Sequence, residues 1–314
     1  MRIKKVVKMT LSQILPKEKG LVMIVGKGGV GKTTFSAILS IYASKQLPTF
    51  VTSIDPAHHL GDVLGYKLEH REKRIAENLI ANEADIDELI REYLSKSINL
   101  LKNSYKDITA LNLDKYFDTL KDSPGIEIEA MLHYIVSLVR KVDEYKYIIV
   151  DTPATSITSR LIGLPWVQGV WVDNLIDLRS KIAGLKEVIE SVKAGKKVTI
   201  DDKILKELIQ MREEIERNKK LFMNSDFTKI IGVTTTEKLP IVDLERLSNS
   251  LKNRGIKISS VVINKYKKDE NGLSVINYLK EKFPEARLIL VPQMNYEVIS
   301  IEKIEKVIEK IEVL

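Results

Sequence analysis

The sequence predicts a doubly wound α/β fold with a mostly parallel sheet and an inserted α-helical subdomain. Short apolar runs rich in valine and isoleucine recur along the 314 residues, as buried parallel strands do. Helical patterns stand between several of these runs, which is the alternation typical of an α/β sheet. Two charged stretches are too long to be ordinary connections and carry helical patterns of their own.

The predicted strands are bounded by turn signals and have the length of buried strands. They cover residues 21–26, 49–54, 146–151, 229–235, 259–264 and 287–291. We expect helices directly after Lys32, at 241–254 and at 273–283. Residues 297–314 fit a closing helix that packs on the sheet, and a terminal membrane-binding helix is the alternative.

The two long stretches divide the chain into two parts. The α/β domain is predicted to comprise residues 1–65, 145–160 and 226–314, and the helical subdomain residues 66–144 and 161–225. Apolar residues step by three or four along the second stretch, at Val167, Trp171, Leu175, Leu178, Ile182, Leu185, Ile189 and Val192, and again at Ile204, Leu208, Met211 and Ile215. Such stripes form either a buried seam between helices or an apolar groove for a partner helix, and the sequence leaves both open.

Composition and charge exclude several classes of function. The chain has no cysteine, which excludes disulfides, thiolate metal sites and a cysteine nucleophile. No apolar run approaches the roughly 18 residues of a membrane span and no signal-peptide pattern is present, so we expect a cytoplasmic protein. The net charge is +7, but an excess of five positive charges lies within residues 1–19. The rest is nearly neutral, and no nucleic-acid partner is expected.

The first residues combine this positive charge with an apolar pattern. Apolar side chains recur at helical spacing at Ile3, Val6, Val7, Leu11, Ile14 and Leu15. The segment is interpreted as a first helix docked on the core with a solvated basic face, or as a contact with an anionic membrane surface.

A glycine-rich loop follows the first predicted strand and opens the first predicted helix. It consists of Gly26, Lys27, Gly28, Gly29, Val30, Gly31, Lys32, Thr33 and Thr34. The loop satisfies the phosphate-binding pattern G-x-x-x-x-G-K-T in the context that the pattern needs. Glycines let backbone N–H groups turn toward phosphate oxygens, and the helix N-terminus adds its positive end. We expect ATP and Mg²⁺ here, with Lys32 on the β- and γ-phosphates, Thr33 on the metal and Thr34 on the α-phosphate.

Two further motifs follow the second and third strands. Residues 53–62 read S-I-D-P-A-H-H-L-G-D, and residues 151–161 read D-T-P-A-T-S-I-T-S-R-L. With the second lysine of the loop, Lys27, they resemble the motifs of the arsenite-pump and tail-anchored-protein-targeting ATPases, and an archaeal targeting-type member is favoured. The resemblance begins at about residue 11 and includes P-G-I at 124–126, E-K-L-P at 237–240, V-I-N at 262–264 and V-P at 291–292.

The resemblance implies a role for each matched residue. Asp55 would orient and activate the attacking water, and Asp151 would hold Mg²⁺ through a water. Lys27 would reach the nucleotide of the other subunit in a homodimer and, with Asp55 and Lys32, form the catalytic set. The further nucleotide contacts implied are Asn264 at the adenine, Glu237 and Pro292. Taken alone, Asp55 before its proline could equally be a turn residue, and Asp151 a cap at a strand end.

The function that the resemblance implies is capture and release of hydrophobic clients by a dimeric ATPase. The client would be the transmembrane helix of a tail-anchored protein, delivered through a transient contact with a membrane or membrane receptor. The alternatives are an ATPase subunit that drives arsenite efflux, a partition-type ATPase and a nucleotide-binding scaffold without turnover. Ser156 and Ile157 stand where the family usually has Gly-His. Because cysteine is absent, no zinc is expected at a dimer interface, and capture of metalloids by thiolates is disfavoured.

Overall fold

The computed structural model describes residues 10–104, 120–199 and 201–314. Its strands, in chain order, are β1 (Gly20–Gly26), β2 (Thr49–Ser53), β3 (Lys73–Ala76), β4 (Leu79–Glu83), β5 (Tyr147–Asp151), β6 (Thr228–Thr234), β7 (Ile258–Tyr266), β8 (Arg287–Pro292) and β9 (Glu312–Val313). They form one sheet in the order β3-β4-β2-β5-β1-β6-β7-β8-β9. Neighbouring strands are parallel, except for the antiparallel pairs β3–β4 and β8–β9 at the two edges.

Helices cover both faces of this sheet, so the predicted doubly wound α/β class is confirmed. In the described residues they are α1 (Lys32–Ser44), α2 (Leu60–Leu64), α3 (Ile86–Ser104), α4 (Ile126–Val139), α5 (Thr155–Ala194), α6 (Lys203–Met223), α7 (Lys238–Lys252), α8 (Glu270–Lys282) and α9 (Ile301–Ile308). One core joins the sheet to α1, α2 and α9. The other joins it to α3, α4, α7, α8 and the ends of α5 and α6 nearest the sheet.

The six predicted strands are confirmed, each to within two residues at either end. The reason is visible in β1, β2 and β5, where every residue is buried between the two helical layers. A strand covered on both faces is mostly apolar, and valine and isoleucine fit its extended backbone, while the buried polar residues Ser53 and Asp151 stand at the carboxyl ends of β2 and β5. The helices expected after Lys32, at 241–254 and at 273–283 correspond to α1, α7 and α8.

The expectation of helix throughout residues 66–144 is wrong for its first part. Strands β3 and β4 form an antiparallel hairpin here, and β4 extends the sheet beyond β2. The pattern hides them because β3 is a short edge strand with one buried residue, Ile75, among exposed lysine and arginine. Charged residues on edge strands are a common protection against pairing with other chains. Within this stretch the helical part begins only at Ile86, with α3, and the division of the chain into domains stays a prediction.

The end of the chain also differs from expectation. The closing helix is limited to α9, and β9 then pairs with β8, covering backbone groups that the edge of the sheet would otherwise expose. Ile304 and Val307 are buried and Ile301 and Ile308 partly buried, so the apolar face of α9 packs on the fold as the first interpretation expected.

The described part of the N-terminal segment docks on the core. Leu11 and Ile14 lie on a short 3₁₀ helix (Leu11–Ile14), and both are buried together with Leu15. Ile3, Val6 and Val7 lie outside the described residues, and so does any membrane contact that they would make.

Helices α5 and α6 form a long antiparallel pair, named here the helical arm. Arg212 of α6 donates a hydrogen bond to Asp173 of α5. Further along α5, Arg179 forms a salt bridge with Asp202, whose side chain caps the start of α6. No helix among the described residues combines the length and the apolarity needed to cross a membrane.

Candidate active site

The glycine-rich loop lies at the carboxyl end of the central strand β1, between β5 and β6. Strands β2 to β5 lie on one side of β1 and strands β6 to β9 on the other. The chain connections on the two sides of β1 therefore run in opposite directions across the sheet. In open α/β sheets, this change of direction opens a crevice beyond the carboxyl ends of the strands, where ligands bind. The segments that follow β1, β2 and β5 meet there.

The loop has the backbone of a phosphate cradle. Gly29 and Gly31 have φ of 81° and 94°, a left-handed region that other residues enter at a cost. Gly31 precedes α1, and a Cβ there would lie 2.1 Å from the Asn264 amide nitrogen, so any side chain at this position would displace the Asn264 amide. At Gly28, by contrast, a Cβ would meet no atom within 4 Å. Ligand oxygens therefore have room against this backbone.

Lys32 and Asp55 face each other at the mouth of the cradle. The buried Lys32 ammonium lies 3.4 Å from the Lys27 carbonyl oxygen and 4.0 Å from an Asp55 carboxylate oxygen. The Asp55 N–H donates to the Ser53 hydroxyl, and Asp55 Oδ1 accepts from the Ala57 N–H. The structure thus holds an acid and a cation together beside the loop, with the acid partly exposed.

Asp151 lies beneath this pair, fully buried and surrounded by hydroxyl groups. Thr33 and Ser53 donate to Asp151 Oδ2 at 2.8 and 3.0 Å, and Ser36 donates to Oδ1 at 3.3 Å. Burial raises the pKa of Asp151 to about 6, against the opposing effects of the Thr33 hydrogen bond and the Lys32 charge.

Ser36 and Ser53 were missed by the sequence analysis. Their signals were positional: Ser36 follows Thr33 by one helical turn, and Ser53 is the last residue of β2.

The set of donors around Asp151 suits Mg²⁺. Asp151 and Thr33 offer hard oxygen donors to a cation that prefers oxygen and keeps several of its waters. Among the described residues no group of three His, Asp or Glu side chains converges on one point, so a cation here would complete its shell with water and phosphate oxygens. Bound Mg²⁺ would neutralise charge that develops on a transferring phosphoryl group.

A cavity of about 480 Å³ opens on the other side of the loop, toward β6 and β7. Its lining includes backbone of the loop and side chains that the sequence analysis did not predict. Glu237 lines it, whereas Pro292 ends β8 beside Tyr266 and its neighbour Gln293 lines the cavity instead; contacts of Glu237 and Pro292 with a nucleotide stay predictions. The unpredicted lining residues are Thr235, Thr236, Pro240, Lys265, Lys267, Asp269, Asn271 and Gln293.

Asn264 connects this side of the site to the loop. Its amide nitrogen donates to the Val30 carbonyl oxygen at 2.8 Å, and its amide oxygen accepts from the Lys265 N–H. An amide nitrogen carries two protons, so this bond uses one of the two, and the role of Asn264 at the adenine stays a prediction.

Comparison with known proteins shows which family the chain belongs to. The family model described as "Anion-transporting ATPase" matches residues 19–312. The chain belongs to the anion-transporting ATPase family. A relative from Aquifex aeolicus (strain VF5), named "Putative arsenical pump-driving ATPase 2", is 30% identical over 294 residues, which cover 90% of this chain and 95% of that protein. The family resemblance seen in the motifs is thereby confirmed, and the chain is an ATP-hydrolysing enzyme.

Eukaryotic members of the family are similar over most of the chain. "ATPase get3" of Schizosaccharomyces japonicus is 28% identical over 300 residues, 91% of this chain and 90% of that protein. "ATPase ASNA1 homolog" of Dictyostelium discoideum is 26% identical over 281 residues, 85% of this chain and 79% of that protein.

The two lysines of the ATPase loop, Lys27 and Lys32, are positioned differently. The Lys27 side chain is 39% exposed, and its ammonium lies 3.9 Å from Asp243 on α7. It lines the cavity of about 480 Å³ and also a second one, of about 340 Å³, which Ser156 borders. Ile157 instead packs against the core. Lys27 therefore projects away from the buried acid, with a weak surface ion pair as its contact.

Proposed function

We propose that this ATPase is a homodimer that couples binding and hydrolysis of Mg-ATP to the capture and release of hydrophobic clients, with the transmembrane helices of tail-anchored proteins as the main client class. The observation that carries the proposal is an apolar face on α5 that solvent reaches. It consists of Val167, Val170, Trp171, Leu175, Leu178, Leu185, Val188, Ile189 and Val192.

This apolar face lies away from the seam with α6. Val172 and Ala183 are buried on the other side of α5, and Gly169 lies against Ile215 and Lys219 of α6. Trp171 is 67% exposed. A contiguous apolar surface of this kind marks a site for a protein or membrane partner. A helix of 40 residues is about 60 Å long, so α5 offers room for an apolar helix of some 20 residues, which spans about 30 Å.

The same helix begins at the nucleotide site. Thr155, its first residue, follows Asp151 by four positions. The Thr158 hydroxyl donates to Thr152 and to the Pro153 carbonyl oxygen, while the Thr152 hydroxyl donates to Ile24 of β1. Buried hydrogen bonds thus attach the base of α5 to the strand that carries the loop. Loss of phosphate contacts around this segment would then move the arm and release the client.

The residues of the site have separate roles in the proposed hydrolysis. Asp55, partly exposed beside the cradle, accepts a proton from the attacking water, a step that contributes about 10² to 10⁴ in rate. Lys32 balances the phosphate charge from within the same subunit. Lys27 reaches the nucleotide of the other subunit, and its exposure on the surface supports this role.

Co-purification tests the proposal. Asp55→Asn should trap the ATP state, and mass spectrometry should then identify proteins with a single apolar helix among the bound clients. Trp171→Glu in the same background should remove them, because it places a charge in the apolar face. Ser180→Glu is the matched control, since Ser180 is exposed about half a turn round the same helix. Equal client recovery from the Trp171 and Ser180 variants would contradict the proposal.

The name of the Aquifex relative favours a second candidate, the ATPase subunit of an arsenical pump. The chain has no cysteine, so it has no thiolate that could bind arsenite. This candidate predicts that arsenite raises the ATPase rate, and our proposal predicts that the rate does not change.

A further inference from the structure

Glu83 is a buried carboxylate at the end of β4 to which no motif drew attention. It is 7% exposed. Its Oε1 accepts a hydrogen bond from the Gly61 N–H at 2.9 Å. A carboxylate is costly to bury unless it is hydrogen-bonded. The hydrogen bond to Gly61 therefore offsets part of the cost of burying Glu83, and the question is what this bond does for the protein.

Gly61 lies at the far end of the segment that begins with Asp55. Residues 56–59 are exposed. His58 has a φ of 50°, which is uncommon for a residue other than glycine. A turn forms at the start of the segment, where the His58 N–H donates to the Asp55 carbonyl oxygen at 3.1 Å and the Ala57 N–H to Asp55 Oδ1, and contacts at the two ends of the segment then set where this turn lies. Ser53 holds the first end through the Asp55 N–H, and Glu83 holds the second end through Gly61.

Both anchors belong to one row across the sheet. Ser53 and Glu83 are paired in the register of β2 and β4, and the Ala84 N–H donates to the Ser53 carbonyl oxygen at 2.8 Å. The Ser53 hydroxyl also donates to Asp151. The row therefore joins the buried acid, the start of the Asp55 segment and its end.

We propose that Glu83 is a positioning residue for ATP hydrolysis, whose carboxylate fixes the start of α2 and through it the placement of Asp55 beside the phosphate cradle. Glu83 acts through the Asp55 segment and leaves the cradle itself unchanged. The proposal rests on the role that the proposed function gives to Asp55.

The test compares kcat with nucleotide affinity. Glu83→Ala should lower kcat by about 10- to 100-fold, since small displacements of a catalytic group have effects of this size. The Kd for ADP should stay within about twofold, because the loop binds the phosphates. Glu83→Gln should keep kcat within about threefold, because its amide oxygen still accepts from the Gly61 N–H. Glu69→Ala is the matched control, as it removes a nearby exposed acid that pairs with Lys67.

A second background separates positioning from general damage. In Asp55→Asn protein, Glu83→Ala should lower the residual rate by less than about twofold, because the group it positions is already gone. If Glu83→Ala does not fold, Glu83→Leu fills the same space without an acceptor and should give the same kinetics.

Several outcomes would overturn the proposal. They are a wild-type kcat in the Ala or Leu variant, a Gln variant as slow as the Ala variant, an equal loss of kcat and ADP affinity, and a full effect of Glu83→Ala in the Asp55→Asn background. Failure of the proposed function looks different, since Asp55→Asn alone would then hydrolyse ATP at the wild-type rate.

Discussion

The nucleotide site and the helical arm break the usual rule of burial in opposite directions. At the site, charged groups are buried: Asp151 lies under three hydroxyls, and Lys32 is buried beside the loop. On the arm, apolar side chains such as Trp171 and Leu178 face solvent. Proteins generally bury apolar residues and expose charged ones, so each region carries a cost that a ligand would relieve.

The two regions also differ in how they are held. The site is held by short hydrogen bonds that join strands, loop and helix around Asp151 and Asn264. The apolar face of α5 is exposed in the part of the chain that the structure describes, and in the proposed function it would accept clients of varied sequence. A site with specific hydrogen bonds suits one chemical reaction, whereas an open apolar face suits many partners. The predictions below test this difference, from the largest expected effect to the smallest.

Lys27→Ala should give the largest change. If Lys27 acts on the nucleotide of the other subunit, kcat should fall by about 10³-fold or more, as in systems that use a charged finger in trans. Tm should remain within 2 °C of the wild type, because the ion pair with Asp243 is weak. Steady-state ATPase assays and calorimetry provide the two values. Lys252→Ala, an exposed lysine at the end of α7, is the control and should match the wild type.

Asp55→Asn should stop hydrolysis while the protein still binds nucleotide. We expect kcat to fall by about 10² to 10⁴, the contribution of a positioned base. Calorimetric titration with ATP should give a Kd within about threefold of the wild type, since the loop and Lys32 are unchanged. Undiminished turnover would remove Asp55 from the mechanism.

Asp151→Asn should lower the ATPase activity and raise the stability of the protein. Burial raises the pKa of Asp151 from 3.8 to about 6. Between these two pH values the carboxyl group is protonated in the folded state and ionised in the unfolded state. The stability that this protonation contributes is complete below pH 3.8 and is lost as the pH rises through 6. At pH 8 the neutral asparagine should therefore raise the free energy of unfolding by about 1 to 3 kcal/mol.

The hydroxyl groups can accommodate this change. The single proton of the Ser36 hydroxyl is shared between the Lys32 carbonyl oxygen at 3.0 Å and Asp151 Oδ1 at 3.3 Å. In the variant it can go wholly to the carbonyl oxygen, and the Ser36 oxygen can then accept from the asparagine amide. Calorimetry of the nucleotide-free protein from pH 8 to pH 4 should show the gain in Tm shrinking below pH 6. A gain of equal size at both ends of that range would show that the charge of Asp151 is not its cause.

Trp171→Glu should have the smallest effect on the enzyme itself. Trp171 lies on the exposed side of the arm, so kcat without client should stay within about twofold and the free energy of unfolding within about 0.5 kcal/mol. A large loss of stability would mean that the apolar face is covered within the protein. The comparison between the two regions would then fail.

The site was easier to predict from the sequence than the arm, for physical reasons. The requirements of the loop are local: Gly31 is needed where a Cβ would meet Asn264, and Thr33 follows at the start of α1. Glu83 was missed because its strand is short and lies in a charged stretch, and its partner Gly61 is distant in sequence.

The stripe along α5 posed a different problem. Its spacing is the same for a buried seam and for an exposed face, because periodicity shows which residues share a side and not what covers them. The structure shows that α6 packs on the other side of α5, leaving Leu185 and Ile189 exposed.

The most direct test of the account is whether nucleotide at the loop controls the affinity of the arm. Fluorescence anisotropy can measure binding of a labelled apolar helix of about 20 residues to Asp55→Asn protein, loaded with Mg-ATP or with Mg-ADP. The account predicts that the ATP form binds the helix at least about tenfold more tightly, and that the helix tightens ATP binding by the same factor. Equal affinities of the two forms for the helix would contradict it.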